Sequence, residues 1–125
     1  MHKSRLGNIV IDCPGGDLWS AARFWSSALG YPLPAATDAT GRFIQLVTPP
    51  GDVQVIIQQV DHAARAHLDI ETDAIAPEVE RLEALGATIV SRQATWVVMQ
   101  APSGQRFCVG SPYRDGFDRH ANVWT

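Results

Sequence analysis

The segments "RFWSSALG" (23–30) and "EVERLEALG" (78–86) decide the fold, because each closes an amphipathic helix on the same three residues, Ala-Leu-Gly. Apolar side chains recur at helical spacing before each ending, and a glycine just past a helix accepts the left-handed conformation that stops it. Working outward, strand-like sequence precedes each helix and alternating sequence follows it. Each half then finishes on a hairpin turn, "PPG" at 49–51 and "PSG" at 102–104. The pattern indicates two copies of one βαβββ module.

The predicted parts all belong to a single domain of 125 residues. They are module one at about 6–60, module two at about 66–111, a C-terminal tail at 112–125, and helices near 17–29 and 74–85. Two such modules can pair their curved mixed sheets around a trough, because each sheet buries one face under a helix and leaves the other open. We therefore predict an α+β fold with the helices outside.

Composition and charge exclude several classes of protein. Hydrophobic residues make up 46% of the chain and charged residues 18%, as in globular rather than disordered proteins. The formal net charge of −3 gives no electrostatic attraction for nucleic acid. No apolar run approaches the roughly 18 residues of a membrane helix, and the N-terminal residues lack the apolar core of a secretion signal. We expect a cytoplasmic protein without a nucleic-acid or membrane partner.

The two cysteines, Cys13 and Cys108, lie in strand-like segments that are far apart in sequence. They lack the close spacing of a metal-binding pair, and the cytoplasm keeps thiols reduced. We therefore expect two free thiols. Cys108 fits two interpretations, a small buried packing residue or a nucleophile, and the second needs a cationic neighbour.

The stretch "AHLDIETD" (66–73) concentrates candidate functional groups on one strand. Successive side chains of a strand point to opposite faces, so His67, Asp69 and Glu71 share the face turned away from the helix. An imidazole beside two carboxylates is typical of a metal site or an acid–base site, and also of the wet side of a half-buried strand. We take all three as candidate catalytic residues. Asp69 and Glu71 are expected to solvate the sheet edge or to orient the ring of His67.

Three longer segments carry a family resemblance: "RFWSSALGYPL" (23–33), "EVERLEALGATIV" (78–90) and "APSGQRFCV" (101–109). With the order of elements, they resemble the glyoxalase/bleomycin-resistance/dioxygenase (vicinal oxygen chelate) superfamily. Within it, the nearest group is the glyoxalase-like domains whose last strand contains Phe-Cys-Val. The resemblance implies a trough that holds a small organic molecule. Enzymes of the superfamily often hold a divalent metal ion there with four residues.

Carried over residue by residue, the four metal positions fall on Asn8, Gln58, His67 and Cys108. Divalent ions favour imidazoles and anionic oxygens, whereas the amides of Asn8 and Gln58 are weak, neutral ligands. The metal enzymes have a glutamate where this chain has Cys108, and one thiol with one imidazole is an incomplete set. We therefore expect no metal and no other cofactor. A divalent ion at these four residues is the less favoured alternative.

The other residues expected in the trough suggest a planar ligand with polar edges. Aromatic side chains can stack on such a ligand, and amides can satisfy its polar atoms. Trp96 also fits the core between the modules. The predicted ligand-binding residues are Asn8, Asp12, Phe43, Gln45, Gln58, Trp96 and Cys108.

Three functions remain open at the level of sequence. The first is binding of a small organic molecule, with metal-independent lyase or isomerase chemistry at His67. The second is a metal-dependent lyase or dioxygenase of the superfamily's usual type. The third, similar to the bleomycin-resistance members, is sequestration of a drug or toxin without catalysis. The resemblance also implies a homodimer, since members of the superfamily commonly pair, and the tail aromatics Phe117 and Trp124 would suit an interface.

Overall fold

The computed structural model describes residues 1–35 and 41–125. The chain contains both helices and strands, and the strands pair in parallel as well as antiparallel fashion, so the fold class is α+β, as predicted. In chain order the elements are β1 (His2–Pro14), α1 (Leu18–Leu29), β2 (Phe43–Gln45), β3 (Gln54–Val60), β4 (Arg65–Thr72), α2 (Ile75–Ala84), β5 (Thr88–Arg92), β6 (Trp96–Gln100), β7 (Arg106–Gly110), α3 (Phe117–His120) and β8 (Asn122–Trp124). None of the helices in the described ranges is long and apolar enough to cross a membrane.

The chain divides into two compact units. Asn8–Ala66 form the first unit, and Met1–Gly7 together with His67–Thr125 form the second unit. The division near residue 66 agrees with the predicted start of module two. Met1–Gly7 also belong to the second unit, although the prediction did not place them in module two.

The start of β1 belongs to the second unit because its partners lie there. His2 pairs antiparallel with Trp124 of β8. The Lys3 carbonyl accepts a 2.8 Å hydrogen bond from the Thr72 hydroxyl at the end of β4. Both partners are distant in sequence, so no local pattern could indicate the pairing.

The first unit pairs three strands in the order β2-β3-β1, with β3 parallel to β1 and antiparallel to β2. α1 covers one face of this sheet. Its N-terminus is capped by Asp17, whose carboxylate accepts from the Trp19 N–H at 3.1 Å, and Gly30 ends it with φ of 79°. The buried core residues are Ala22, Ile44, Leu46, Val55 and Ile57, with Ile11 and Cys13 packed against them. The predicted first helix is confirmed, and Ile11 and Cys13 of β1 pack on the core beneath it.

The second unit pairs its strands in the order β1-β4-β7-β6-β5, and β8 also pairs with β1. α2 covers one face, and Pro77 lies in its first turn, where a missing N–H costs little. The buried core residues are Val79, Leu82, Ala87, Val97, Met99 and Val109, with Ile70 and Phe107 packed against them. The alternation of β4 predicts that Leu68 packs in this core, but Leu68 is half exposed and does not belong to the core cluster.

Two strands differ in extent from the prediction. β1 begins at His2, four residues before the predicted start at residue 6. β2 ends at Gln45, shortly before the prolines of "TPPG" (48–51), which lack the N–H that a sheet ladder needs. Within the described residues, two strands follow α1 in the first unit where three were predicted. Residues 36–40, in the predicted loop, lie outside the described residues.

The C-terminal tail packs on its own unit. Phe117 is buried in the short helix α3. The Trp124 indole N–H donates to the Ser4 hydroxyl at 2.8 Å, and the Arg81 guanidinium lies 3.9 Å from the centre of the Trp124 ring. Phe117 is therefore not available for a dimer interface, whereas Trp124 is only partly buried. The homodimer itself stays a prediction.

Candidate functional site

The sheet of the second unit has one face under α2 and one face turned away from it, which we call the open face. Strand pairing arranges the side chains of the open face in rows. Asp69 of β4 lies beside Cys108 of β7, which lies beside Val98 of β6. In the next row, Gly110 lies beside Trp96. These are the residues that strand alternation predicts for this face.

Three polar side chains converge on the open face, and we call them the His67 cluster. A nitrogen of His67, a carboxylate oxygen of Asp69 and the sulfur of Cys108 all lie within 4.8 Å of one another. His67 Nε2 is 3.5 Å from Asp69 Oδ1, and these side chains are 18% and 16% exposed. His67 is therefore partly reachable from solvent. The cluster holds a base, a carboxylate and a thiol where a bound molecule could contact them.

Tyr113 joins this site although the sequence did not indicate it. Burial raises the pKa of its hydroxyl, and the negative charges of Asp69, Glu71 and Cys108 raise the pKa further. The phenol therefore stays protonated and can donate a hydrogen bond. Its backbone N–H donates to Glu71 Oε2 at 3.1 Å, which fixes the segment in place. The tail from 111 to 125 has no periodic pattern, so no sequence signal could have found Tyr113.

Glu71 lies in a different environment from the predicted one. It is 0% exposed, and its Oε1 accepts from Arg5 Nε at 2.6 Å and lies 3.5 Å from Arg114 Nε. A Cβ on Gly7 would come within 3.2 Å of Glu71 Oε2, so β1 approaches closely here only because it carries glycine. The expectation that Glu71 solvates the sheet edge is wrong, because two arginines from distant segments enclose it. Its catalytic role stays a prediction, and these contacts favour a structural role.

The first unit has an open face of its own, on the side opposite α1. Phe43, Gln58 and Asp12 lie side by side across its three strands. Phe43 is 46% exposed, whereas Asp12 is buried with its Oδ2 at 4.0 Å from Arg65 Nε. Gln45 follows Phe43 on the same face. The predicted ligand-binding residues of the first module therefore share one face.

The register of the first unit corrects one predicted metal position. β3 runs parallel to β1 with Asn8 beside Gln54 and Asp12 beside Gln58. Asn8 and Gln58 are therefore separated by four residues along the strand direction, which is about 13 Å in an extended chain. Alternation predicted the face of Gln58 correctly, but the partner of Gln58 depends on the ladder between the strands.

The glyoxalase-like domain family matches residues 8–110 of the chain. The chain belongs to this family. The match covers most of both units and confirms the resemblance that the helix endings and the last hairpin indicated. No curated protein matches this glyoxalase-like domain closely enough to count as a relative.

Several solved structures are similar to this glyoxalase-like domain. Methylmalonyl-CoA epimerase from Mycobacterium tuberculosis is 16% identical with a TM-score of 0.60, over 86% of this chain and 87% of that chain. A variant of homoprotocatechuate 2,3-dioxygenase from B. fuscum is 10% identical with a TM-score of 0.56, over 88% of this chain and 33% of that chain. A glyoxalase/bleomycin resistance protein/dioxygenase superfamily member from Vibrio splendidus 12B01 is 20% identical with a TM-score of 0.46, over 84% and 99%. At these identities the first two support the fold alone.

The four residues that the family resemblance assigns to a metal ion do not fit one. Asn8 lies beside Gln54 rather than Gln58, so the two amides do not converge to the roughly 2.1 Å that ligand bonds require. The His67 cluster is a different donor set, with its three donor atoms within 4.8 Å of one another. Thiolate, imidazole and carboxylate together suit a zinc-like ion rather than a hard ion such as magnesium. Any ion in this domain would therefore need a site unlike the one that the resemblance implies.

Proposed function

We propose that this glyoxalase-like domain binds a small organic molecule on the open face of its second unit, where His67 and Asp69 transfer a proton without a metal ion. The observation that carries the proposal is the partly exposed His67–Asp69 pair, with 3.5 Å between Nε2 and Oδ1. Imidazoles take up and release protons near neutral pH, and a neighbouring carboxylate orients the ring. A lyase or isomerase acting on a carbon acid would use the pair in this way.

The surface beside the pair suits a flat ligand. Trp96 is 43% exposed and lies beside Gly110, which has no side chain to occupy the face. Tyr113 adds a second ring whose raised pKa keeps its hydroxyl a donor. Apolar surface with a few placed polar groups is the usual composition of a small-molecule site.

Sequestration of a drug or toxin is the second candidate function, and the exposed rings of Trp96 and Phe43 favour it. Aromatic rings bind flat molecules by stacking, and stacking needs no catalyst. The two candidates differ only in turnover. A metal-dependent lyase or dioxygenase is less favoured, because Asn8 and Gln58 do not converge.

A two-stage measurement tests the proposal. Small carbon acids and aromatic acids are first screened for compounds that raise the melting temperature, since a molecule that binds only the folded protein stabilises it. Each ligand found is then incubated with the protein in D₂O, and NMR follows exchange of its acidic C–H for deuterium. We expect exchange with the wild-type protein and a loss of about 10²-fold or more in His67→Gln. Glu80→Gln, at an exposed position of α2, is the matched control.

Each result has a definite reading. Binding without exchange would favour sequestration over catalysis. Exchange that persists in His67→Gln would place the chemistry at another residue. A screen in which no compound raises the melting temperature would contradict the proposed binding function.

A cytoplasmic location and a homodimer complete the proposal, with a small-molecule ligand as the other partner. The resemblance to the superfamily, whose members commonly pair, supports the homodimer, and the cytoplasmic location is an expectation from the sequence. The chain has a mass of 13.6 kDa, so light scattering on a size-exclusion column distinguishes a monomer from a dimer.

A further inference from the structure

We propose that Cys108 is a nucleophile that adds to α,β-unsaturated carbonyl compounds, with His67 as the base that takes the thiol proton. The inference rests on the proposed function, because the open face that would bind the ligand also carries the thiol. It goes beyond that function by making the bound state covalent.

Cys108 is part of a cluster rather than an isolated thiol. Its sulfur lies within 4.8 Å of a His67 nitrogen and of an Asp69 carboxylate oxygen, and Asp69 Oδ1 is 3.5 Å from His67 Nε2. A thiol close to an imidazole that can take its proton, with a carboxylate beside the same ring, is an environment in which a cysteine can act as a nucleophile. All three side chains are half-buried, so a small molecule can contact the sulfur without unfolding the sheet.

Cys13, the other cysteine of the chain, provides the contrast. It packs against the helix-side core of the first unit. Burial raises the pKa of its thiol, and the negative charge of Asp12 raises the pKa further. Both effects disfavour the thiolate, which is the reactive form. Cys108 also has a carboxylate nearby, but it has the imidazole of His67 within 4.8 Å to take its proton. Cys13 is therefore an internal control for the reactivity of Cys108.

The surroundings of Cys108 select a flat ligand. Val98 lies directly opposite Cys108, and Trp96 is its diagonal neighbour on β6, a separation that an aromatic side chain spans. Gly110, the next residue of β7 on this face, pairs with Trp96 and carries no side chain, although its backbone is buried. A conjugated ring stacked on Trp96 would place its edge next to the sulfur.

The reaction is an addition in which atoms and electrons balance. The thiol proton passes to the imidazole of His67, and the sulfur electron pair forms a bond to the β-carbon of the ligand. The π electrons of the C=C bond move toward the carbonyl oxygen, and the imidazolium then returns the proton to the α-carbon. One S–C and one C–H bond form, one S–H and one C=C π bond are lost, and no oxidant is needed. Tyr113, whose raised pKa keeps it protonated, is a donor on this face for the charge that develops on oxygen.

N-phenylmaleimide is the probe, because it combines a flat ring with an α,β-unsaturated carbonyl group. The full chain is treated with it, and peptide mass spectrometry measures the modification rates of Cys108 and Cys13 in the same sample. We expect Cys108 to react about tenfold faster than Cys13 or more, with a rate that saturates as the probe concentration rises. His67→Gln should slow the reaction at Cys108 by about tenfold or more and leave the rate at Cys13 unchanged.

N-phenylsuccinimide, the saturated analogue, separates binding from bond formation. It should raise the melting temperature and protect Cys108 from the maleimide, while Cys13→Ser should leave the Cys108 rate unchanged. If the succinimide binds but Cys108 reacts no faster than Cys13, the covalent step is wrong and the proposed binding function stands. A Cys108 rate unaffected by His67→Gln also overturns the inference. If the succinimide neither binds nor protects, and labelling rises linearly with maleimide, the ligand-binding face is wrong as well.

Elemental analysis of the same preparation tests whether the His67 cluster binds a metal ion instead. One equivalent of zinc that blocks labelling of Cys108, and that is lost in Cys108→Ser, would make the His67 cluster a metal site. That result would overturn the nucleophile.

Discussion

Replacing Glu71 with glutamine removes the charge of a fully buried side chain and keeps nearly its volume. In the native protein the carboxylate accepts a 2.6 Å hydrogen bond from Arg5 Nε and a 3.1 Å bond from the Tyr113 N–H, and it lies 3.5 Å from Arg114 Nε. In Glu71→Gln, two nearly buried guanidinium groups lose their counter-charge. The new amide NH₂ group is itself a donor, and it faces N–H donors that the carboxylate oxygens could accept from. We expect a marked loss of stability from a change that creates no cavity.

The magnitude follows from the contacts that the arginines retain. Removing one member of a buried ion pair costs about 3–5 kcal/mol. Arg5 keeps two backbone acceptors, the carbonyls of Arg114 and Asp115 at 3.2 and 2.9 Å, which places the cost at the smaller end of that range. A loss of about 3 kcal/mol is a large part of the roughly 5–15 kcal/mol by which a native domain is stable.

Urea unfolding followed by circular dichroism measures the loss. With a denaturant dependence of about 1–3 kcal/mol per molar urea, Glu71→Gln should lower the unfolding midpoint by about 1–3 M. Glu80→Gln removes a carboxylate from an exposed position of the same unit and should stay within about 0.5 kcal/mol of wild type. Coincident midpoints for the two variants would refute the ion-pair reasoning.

Three further predictions have defined outcomes. His67→Ala should keep the free energy of unfolding within about 1 kcal/mol of wild type and abolish the ligand-dependent rise in melting temperature; a loss above about 3 kcal/mol, the range of a core truncation, would make His67 structural. Protein purified without chelator should contain well under one equivalent of zinc, iron, manganese or nickel by mass spectrometry, and stoichiometric metal that His67→Ala loses would contradict the metal-free proposal. Burial raises the pKa of Glu78. Hydrogen bonds from Arg81 and His2, together with the charge of Arg81, lower the pKa by a larger amount, so the pKa in the folded protein lies below the ordinary value of 4.5. The stabilisation from Glu78 is complete above pH 4.5 and is lost as the pH falls through the folded pKa, so Glu78→Gln should flatten the acid limb of the stability curve; an unchanged limb would count against this.

Alternation of polar and apolar residues predicted the faces of both sheets. In β1, Ile11 and Cys13 pack toward α1 while Asp12 lies on the open face. This works because side chains of a strand alternate with a period of two residues, and one face of each sheet is covered by a helix. The face of a residue is therefore a local property that the sequence carries.

Register and ion pairing could not be predicted in the same way. Gln58 lies beside Asp12, four residues along the strand from Asn8, the other residue of this module that the resemblance assigns to a metal ion. Alternation could not predict this register, because any even shift of β3 would keep the same apolar face inward. Glu71 was expected in water, since its strand shows only an alternation. Its partners Arg5 and Arg114 come from near the two ends of the chain, and no local pattern joins them.

The candidate site was predictable to the same extent as the strands that carry it. His67, Asp69 and Cys108 could be named because each occupies an open-face position of a recognisable strand, and the structure brings them together. Tyr113 could not be named, because its segment has no periodicity and is held by contacts with distant residues. Among them are the hydrogen bond from its backbone N–H to Glu71 and those that Arg5 donates to the next two carbonyls.

The second unit is discontinuous in sequence, and this sets the order in which the chain can fold during synthesis. Residues 1–7 leave the ribosome well before residues 122–124, which pair with the start of β1. The whole of Asn8–Ala66 emerges in between, so the first unit can fold while the second still lacks a strand. Closing the second unit then requires contacts of very large sequence separation, which form slowly. A chain truncated before β8 would leave the start of β1 with unpaired backbone groups, and such an edge pairs readily with other chains.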